Sequence, residues 1–295
     1  MQQEPKLKLL FAINPVSGGK DKTDWEAGIR AYFDNQPHAV ELLKLDGKND
    51  EAALQHWIET WKPDRVVAVG GDGTVKLVAE QVLGTSMILG ILPAGSANGM
   101  ARELNLPLTL EENLDILVHG KEKSIDVIRI NGDNICIHLS DIGLNAQLVK
   151  YYEENNLRGK LGYARGVLRV LLRKRLLRVE IKTATETVLR AARMIVLANA
   201  SRYGTGAIIN PEGDVADGFF EVVVMRKLAL LEVLKMFWRY RPFDPGKTEI
   251  FRATSLHLET RKSAYFQIDG EYRGRIRQLD AEIVPGQLKV LLPNA

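Results

Sequence analysis

Apolar and polar positions alternate along the N-terminal part of the chain in two rhythms. Short, nearly unbroken apolar runs at Leu7–Ile13, Ala39–Leu45, Arg65–Val69 and Met87–Leu92 predict strands. Between and after them, Asp24–Phe33, Glu51–Trp61, Thr74–Leu83, Ser96–Leu104 and Leu110–Leu117 predict helices. Strands that alternate with helices imply a mainly parallel sheet covered on both faces. The rhythm changes near Lys121. Ser124–Ile130 and Asn134–Leu139 read as a hairpin around Asn131-Gly132, and Asn145–Glu154 and Leu161–Leu172 as helices. After them β-like runs dominate: Arg178–Thr183, Arg193–Ala198, Phe219–Met225, Ser255–Glu259, Tyr265–Ile268, Ala281–Val284 and Leu288–Leu291. The predicted organisation is an α/β domain over residues 1–125 and a β-rich sandwich or barrel over residues 126–279. The cleft between two such domains is the expected place for a site.

Composition narrows this picture. A chain of 295 residues has room for two ordinary domains, and 45% hydrophobic with 26% charged residues excludes wholesale disorder. The net charge of +3 is too small to argue for nucleic acid. Cys136 is the only cysteine, so no intrachain disulfide forms and a reducing compartment fits. Met1–Lys8 is polar with no apolar signal core after it, and no apolar run is long enough to span a bilayer. These features predict a cytoplasmic protein.

The candidate chemistry lies in three loops. Gly70-Gly71-Asp72-Gly73-Thr74 follows the strand ending at Val69 and opens a helix. Such a loop, at the carboxyl end of a parallel strand, suits phosphate: glycines let the backbone approach, and the helix offers N–H groups and its positive dipole end. Thr74 is positioned to cap that helix or to donate to a phosphate oxygen. Asp72 beside phosphates would repel them unless it binds Mg²⁺ or takes a proton from an attacking hydroxyl. The second loop, Asn14-Pro15-Val16-Ser17-Gly18-Gly19-Lys20, is not a Walker loop, because Asn14 and Asp21 stand where that motif needs Gly and Ser/Thr. Nor does Gly71-Asp72-Gly73 begin a dinucleotide fingerprint, since Lys76 holds the third glycine position. The third loop is Pro93-Ala94-Gly95-Ser96-Ala97-Asn98-Gly99. All three fall on one edge of the predicted sheet.

In this order the loops resemble the diacylglycerol kinase catalytic-domain family of lipid kinases, which includes sphingosine kinases and bacterial lipid kinases. Gly-Gly-Asp-Gly-Thr alone is shared with NAD kinases and phosphofructokinases. Ile125-Asp126-Val127, Gly143-Leu144, Pro211–Phe220 with Asp217-Gly218, and Ile268-Asp269-Gly270-Glu271 extend the resemblance through nearly the whole chain. It implies an N-terminal α/β nucleotide-binding domain of the NAD kinase/diacylglycerol kinase type and a C-terminal β-sandwich-like domain. The segment 280–295 is expected to pack back on the first. It implies an ATP-dependent, Mg²⁺-assisted lipid kinase that phosphorylates a lipid hydroxyl in the interdomain cleft.

Carried over residue by residue, the resemblance places Asn14, Pro15, Val16, Ser17 and Gly18 at the nucleotide. Gly71, Asp72, Gly73 and Thr74 match the triphosphate loop, with Val75, Lys76 and Leu77 just behind it. Ser96 and Asn98 match further nucleotide contacts, and Asp46 falls near another. Asp72 and Glu271 match the two acids of the reacting centre. Bacterial diacylglycerol kinases are assigned their base in the Asp-Gly-Glu element, sphingosine kinases in the glycine loop. Here Glu271 is read as base and Asp72 as organising Mg²⁺, with the exchange of roles left open. A second, structural Mg²⁺ is implied at the Asp214 carbonyl, the Asp217 carboxylate and the Phe219 carbonyl; a plain Asp-Gly turn is the competing reading. Two departures bear on the acceptor: Gly99 and Asn145 stand where an acid is common. Diacylglycerol, a sphingoid base or a similar lipid therefore remain open. Two other readings use the same scaffold, an NAD kinase and a non-catalytic nucleotide or lipid sensor.

Arg165, Arg169 and Arg173 recur at helical spacing beside Leu168, Leu171 and Leu172. Such a segment suits peripheral contact with an anionic inner membrane surface, where the lipid substrate lies, or an ordinary solvated helix face. No nucleic-acid partner is expected, and a homodimer is left open.

Overall fold

The unbroken apolar runs near the N-terminus become inner strands. The computed structural model describes residues 6–19, 22–155, 176–203, 206–227 and 243–294. The basic stretch around Arg165, Arg169 and Arg173 and the helix expected over Leu161–Leu172 lie outside the described residues. The chain divides into two units, Met1–Ile125 with Gly286–Ala295, and Asp126–Pro285.

In the first unit, β1 (Lys8–Ile13), β2 (Ala39–Lys44), β3 (Arg65–Gly70) and β4 (Ile88–Pro93) form a parallel sheet in the order β2-β1-β3-β4. Val290, near the end of β14 (Glu271–Leu292), pairs parallel with Leu89 and adds a fifth strand. Leu9–Ile13 and Val66–Val69 are completely buried, as inner parallel strands with both faces covered must be. β2 is largely half-buried and, among the described residues, pairs only with β1, which makes it the edge. The layers come from α1 (Thr23–Phe33), α2 (Asp50–Trp61), α3 (Asp72–Val82), α4 (Gly99–Glu103) and α5 (Leu110–His119). The helix predicted from Ser96 begins only at Gly99, because Asn98 adopts a left-handed conformation (φ 52°) and holds the preceding residues as a loop. Arg65 donates to the carbonyls of Leu117 and, at 3.1 Å, Val118, satisfying the end of α5.

β5 (Lys121–Ile130) leads into the second unit and turns through Asn131 and Gly132, both at positive φ, into β6 (Asn134–Cys136). β7 (Leu139–Gly143) then runs into α6 (Leu144–Asn155). β8 (Leu177–Thr183), β9 (Thr187–Ala192), β10 (Met194–Ala198), β11 (Phe220–Met225), β12 (Thr248–Ala253) and β13 (Ser255–Ile268) complete the unit with β14. The antiparallel order is β12-β11-β10-β7-β13-β14, with β8 and β9 beyond the first half of β13. β13 changes partners across a register shift, from β8 at Leu256–Thr260 to β7 at Phe266–Ile268. One core lies among Ile142, Ile181, Leu197, Val222, Leu258 and Phe266. A second covers the other face of β10 and β11 with Leu144 and Leu148 of α6. Both faces of these strands are thus buried. Three expectations are revised. The two separate final strands are one, the run Ser255–Ile268 is one strand rather than two, and the Asn134–Leu139 strand is broken, with β7 starting at Leu139.

Candidate active site

The three strand ends that carry predicted loops, those of β1, β3 and β4, point the same way, because their pairings are parallel. β1 pairs with β2 on one side and β3 on the other, so the chain reverses its direction of travel across the sheet there. Loops after β1 and β3 leave such a switch point toward opposite faces, and the crevice between them is where open α/β sheets bind ligands.

The loops are held mostly by bonds with a backbone group on at least one side, several of them from the short side chains of Asn14, Ser17 and Asn98. The Asn14 amide donates to Val69 O at 3.0 Å, its side-chain oxygen accepts from the Val16 amide at 3.2 Å, and its Nδ2 lies 3.2 Å from Thr74 Oγ1. Ser17–Gly19 form a single 3-10 turn, and Ser17 Oγ reaches Ala94 O at 3.5 Å. Pro15 and Val16 are exposed at the tip, Val16 by 76%. Asn98 closes the third loop: its Oδ1 accepts from the Gly95 amide at 2.9 Å, and its Nδ2 donates to Pro93 O and Gly95 O at 3.2 and 3.0 Å. A Cβ on Gly95 would fall 2.4 Å from Gly71 Cα, so these two loops touch only because residue 95 is glycine. Ser96 is exposed beside them.

At the start of α3 the residue before the helix is Gly71, with no side-chain cap, and Thr74 and Val75 both bond back to Gly71 O. Thr74 is buried inside the first turn, so it does not cap the helix. The amides of Asp72 and Gly73 precede the first intrahelical bonds, and a Cβ on Gly73 would meet nothing within 4 Å. The first turn of α3 is thus open at Gly73, which is exposed. One Asp72 oxygen accepts from the Met100 amide at 3.1 Å, joining α3 to α4. Val75 and Lys76 are buried and Leu77 is half-buried, supporting the loop from behind. Asp46 follows β2 and is exposed; amides of Lys48 and Asn49 bond to its carboxylate at 2.8 and 3.3 Å and hold its pKa below the usual range.

Glu271 lies in the second unit at the start of β14. Ile268 and Glu271 pair across Asp269 and Gly270, at φ 52° and 86°, a two-residue turn with both central residues left-handed. Asp269 accepts from the amides of Ile137, His138 and Leu139 at 3.1, 2.9 and 3.2 Å. Gln267 accepts from the Gly270 amide at 2.7 Å and donates to Asp141 at 2.5 Å. Asp141 is buried and also takes bonds from Asn145 Nδ2 at 2.6 Å, the Ala146 amide at 2.8 Å and Tyr203 Oη at 3.5 Å. Burial pushes its pKa up to about 6 against those bonds. The departure at Asn145 thus has a local reason: it is a donor to a buried carboxylate, which an acid would repel. Glu271 pairs with Arg273 at 2.8 Å. The Nε2 of buried His138 has no hydrogen-bond partner among the described residues.

Of the three groups matched to a structural metal, the Asp217 carboxylate is already engaged. Asp214 accepts from the Ala216 amide and Asp217 from the Phe219 amide, each at 3.1 Å. The other Asp217 oxygen pairs with Arg252 at 3.0 Å. Arg252 also reaches Glu221 at 3.1 Å and stands 5.6 Å from the Phe219 ring. A guanidinium supplies positive charge to this turn, and a divalent cation binding Asp217 would have to compete with it. Among the described residues no group of three or more His, Cys, Asp or Glu is placed to hold a metal, and no helix is long and apolar enough to cross a membrane.

The sequence matches the diacylglycerol kinase catalytic domain over residues 8–130 and the YegS C-terminal NAD kinase beta sandwich-like domain over residues 140–292. It is 29% identical to a protein of Mycobacterium tuberculosis named "Diacylglycerol kinase", covering 97% of this chain and 96% of that one. It is 28% identical to a Klebsiella pneumoniae protein named "Probable lipid kinase YegS-like", over 88% of this chain and 92% of the other. Its fold is similar to that of a diacylglycerol kinase from Bacillus anthracis, with a TM-score of 0.77 at 18% identity and 98% coverage of both chains.

Proposed function

The chain is a kinase of the diacylglycerol kinase catalytic-domain family, and from that premise we propose that it moves the γ-phosphate of ATP onto a lipid hydroxyl. The observation that carries this reading is the open, uncapped start of α3 at the sheet's switch point, walled by loops that only glycine lets meet. The amides of Asp72 and Gly73 bind phosphate oxygens there. Exposed Val16 and Ser96 border the nucleotide, and Asn14 and Asn98 hold their loops in shape around it.

Asp72 carries the second half of the argument. Its bond to Met100 fixes the carboxylate and engages one oxygen; the other has no partner among the described residues. It is suited to hold Mg²⁺. A bound Mg²⁺ would neutralise charge on the transferring phosphoryl group. Glu271, set by the Asp269-Gly270 turn and paired with Arg273, takes the proton from the attacking hydroxyl. No step is assigned to a metal at Asp217, given its pairing with Arg252.

The test is ATP-dependent phosphorylation of a mixed lipid extract with product identification by mass, comparing wild type with Asp72→Asn. One phosphorylated lipid that vanishes in the variant is expected, and its mass names the acceptor class. Full activity in Asp72→Asn would reject the role of that carboxylate. Phosphorylation of NAD but of no lipid would replace the acceptor.

A further inference from the structure

One cavity of the second unit has a chemistry that the proposed transfer does not use. It encloses about 430 Å³, within the range of ligand sites. Arg178, Arg193, Arg261, Lys262 and Arg275 line it, and no acidic residue is among its described lining. Arg178, Arg261 and Lys262 form no ion pair among the described residues, although lone surface cations are usually spread apart rather than gathered around a hollow. Arg275 is held in place, donating to Ser263 O at 2.8 Å and standing 5.0 Å from the ring of its cross-strand partner Tyr265. The four arginines come from four different strands or strand ends, β8, the residue before β10, β13 and β14, so the cluster is made by the tertiary fold. Guanidinium groups converging from several strands match the oxygens of a phosphate better than any neutral ligand.

The cavity is also apolar. Leu144 and Ala264 are buried at it, Leu177 is half-buried, and Leu176 is 53% exposed on its border. A soluble phosphate makes no use of such a surface. A phospholipid does, with its phosphate among the cations and its first chain carbons on the leucines. We infer that this cavity binds the phosphate group of an anionic phospholipid and thereby holds the second unit at the surface that carries such lipids. The inference stands apart from the proposed transfer, since it is read by binding alone.

The experiment is sedimentation of the full chain, without ATP, with phosphatidylcholine vesicles containing or lacking phosphatidylglycerol. Arg178→Ala/Arg261→Ala/Lys262→Ala is compared with Lys48→Ala/Lys121→Ala/Lys227→Ala, which removes equal charge elsewhere, and both are checked by circular dichroism. Each basic residue near an anionic surface contributes about fivefold in affinity. The cavity variant is expected to bind phosphatidylglycerol vesicles on the order of tenfold or more weaker, and the control within about twofold. Equal weakening in both variants, or none in the first, overturns the cavity as the site. Millimolar inorganic phosphate that displaces the protein from vesicles in both variants alike also overturns it, because the attraction is then diffuse. Inorganic phosphate bound by wild type and lost in the cavity variant, with no vesicle binding by either, overturns the lipid as its source.

Discussion

The two ends of the candidate machinery are built in opposite ways. Around Asp72 the loops Asn14–Gly18, Gly70–Thr74 and Pro93–Asn98 are short segments at neighbouring strand ends, held by bonds between backbone groups or from short side chains to backbone. Around Glu271 a relay of buried side chains does it. Asp141 binds Gln267, Gln267 binds the Gly270 amide, and Asp269 gathers three amides from a segment about 130 residues earlier. Backbone cradles are cheap in stability and intolerant of side-chain volume; buried carboxylate relays are worth stability and depend on charge state. Substitutions should therefore damage ligand binding at the first end and folding at the second.

The strongest challenge to that contrast is Asp269→Ala. It strips acceptors from three amides and puts alanine at φ 52°, and it is expected to cost about 4 kcal/mol of stability, read by urea unfolding. A stable variant would mean the amides find other partners and the relay is incidental. Gly95→Val tests the other end. Its Cβ has no room beside Gly71 Cα, so nucleotide affinity by titration calorimetry is expected to fall about a hundredfold, roughly 3 kcal/mol, with the second unit's near-ultraviolet signal unchanged. Unaltered ATP affinity would remove the cradle from the argument.

A pH series sharpens the contrast further. Asp141 has a folded-state pKa near 6 against 3.8 for the ordinary side chain, so the folded state holds its proton more tightly than the unfolded one. The associated stability is present below about pH 4 and is lost as pH rises through 6. The full difference is on the order of 3 kcal/mol. The difference in stability between wild type and Asp141→Asn should follow that window, with wild type losing ground between pH 4 and 6.5; a difference flat in pH would show that Asp141 is ionised throughout. Asn14→Ala is the mildest change. It removes one bond to Val16 and one to Thr74, and it should cost about 1 kcal/mol, visible as a small drop in melting temperature and a severalfold weaker ATP affinity. No change in either would mean water serves those groups equally well.

Legibility followed the same divide. Inner strands such as Leu9–Ile13 and Val66–Val69 announce themselves because burial on both faces demands unbroken apolar runs, and glycine clusters mark where each ends. β9 and β12 were missed. In TVLRAA and TEIFRA apolar Leu189 and Ile250 are exposed while charged Arg190 and Glu249 fall on the half-buried side, so apolar and polar positions do not track the two faces over these six residues. Ala281–Val284 and Leu288–Leu291 read as separate strands, yet β14 runs on through Pro285-Gly286 between them, where the chain crosses between units. His138, Asp141 and Gln267 carried no motif at all; only their burial and mutual contacts distinguish them.

The sequence by itself determined the class of the fold, the loops at the strand ends and the family, because periodicity and local turn chemistry act over a few residues and glycine has few substitutes in such turns. Only the tertiary structure decided which loops touch, which carboxylates are buried, that Arg252 answers Asp217, and that arginines far apart in the chain gather around one cavity. Those are long-range outcomes of strand pairing. No local pattern encodes them, since desolvation and ion pairing depend on what the rest of the chain brings to the same place.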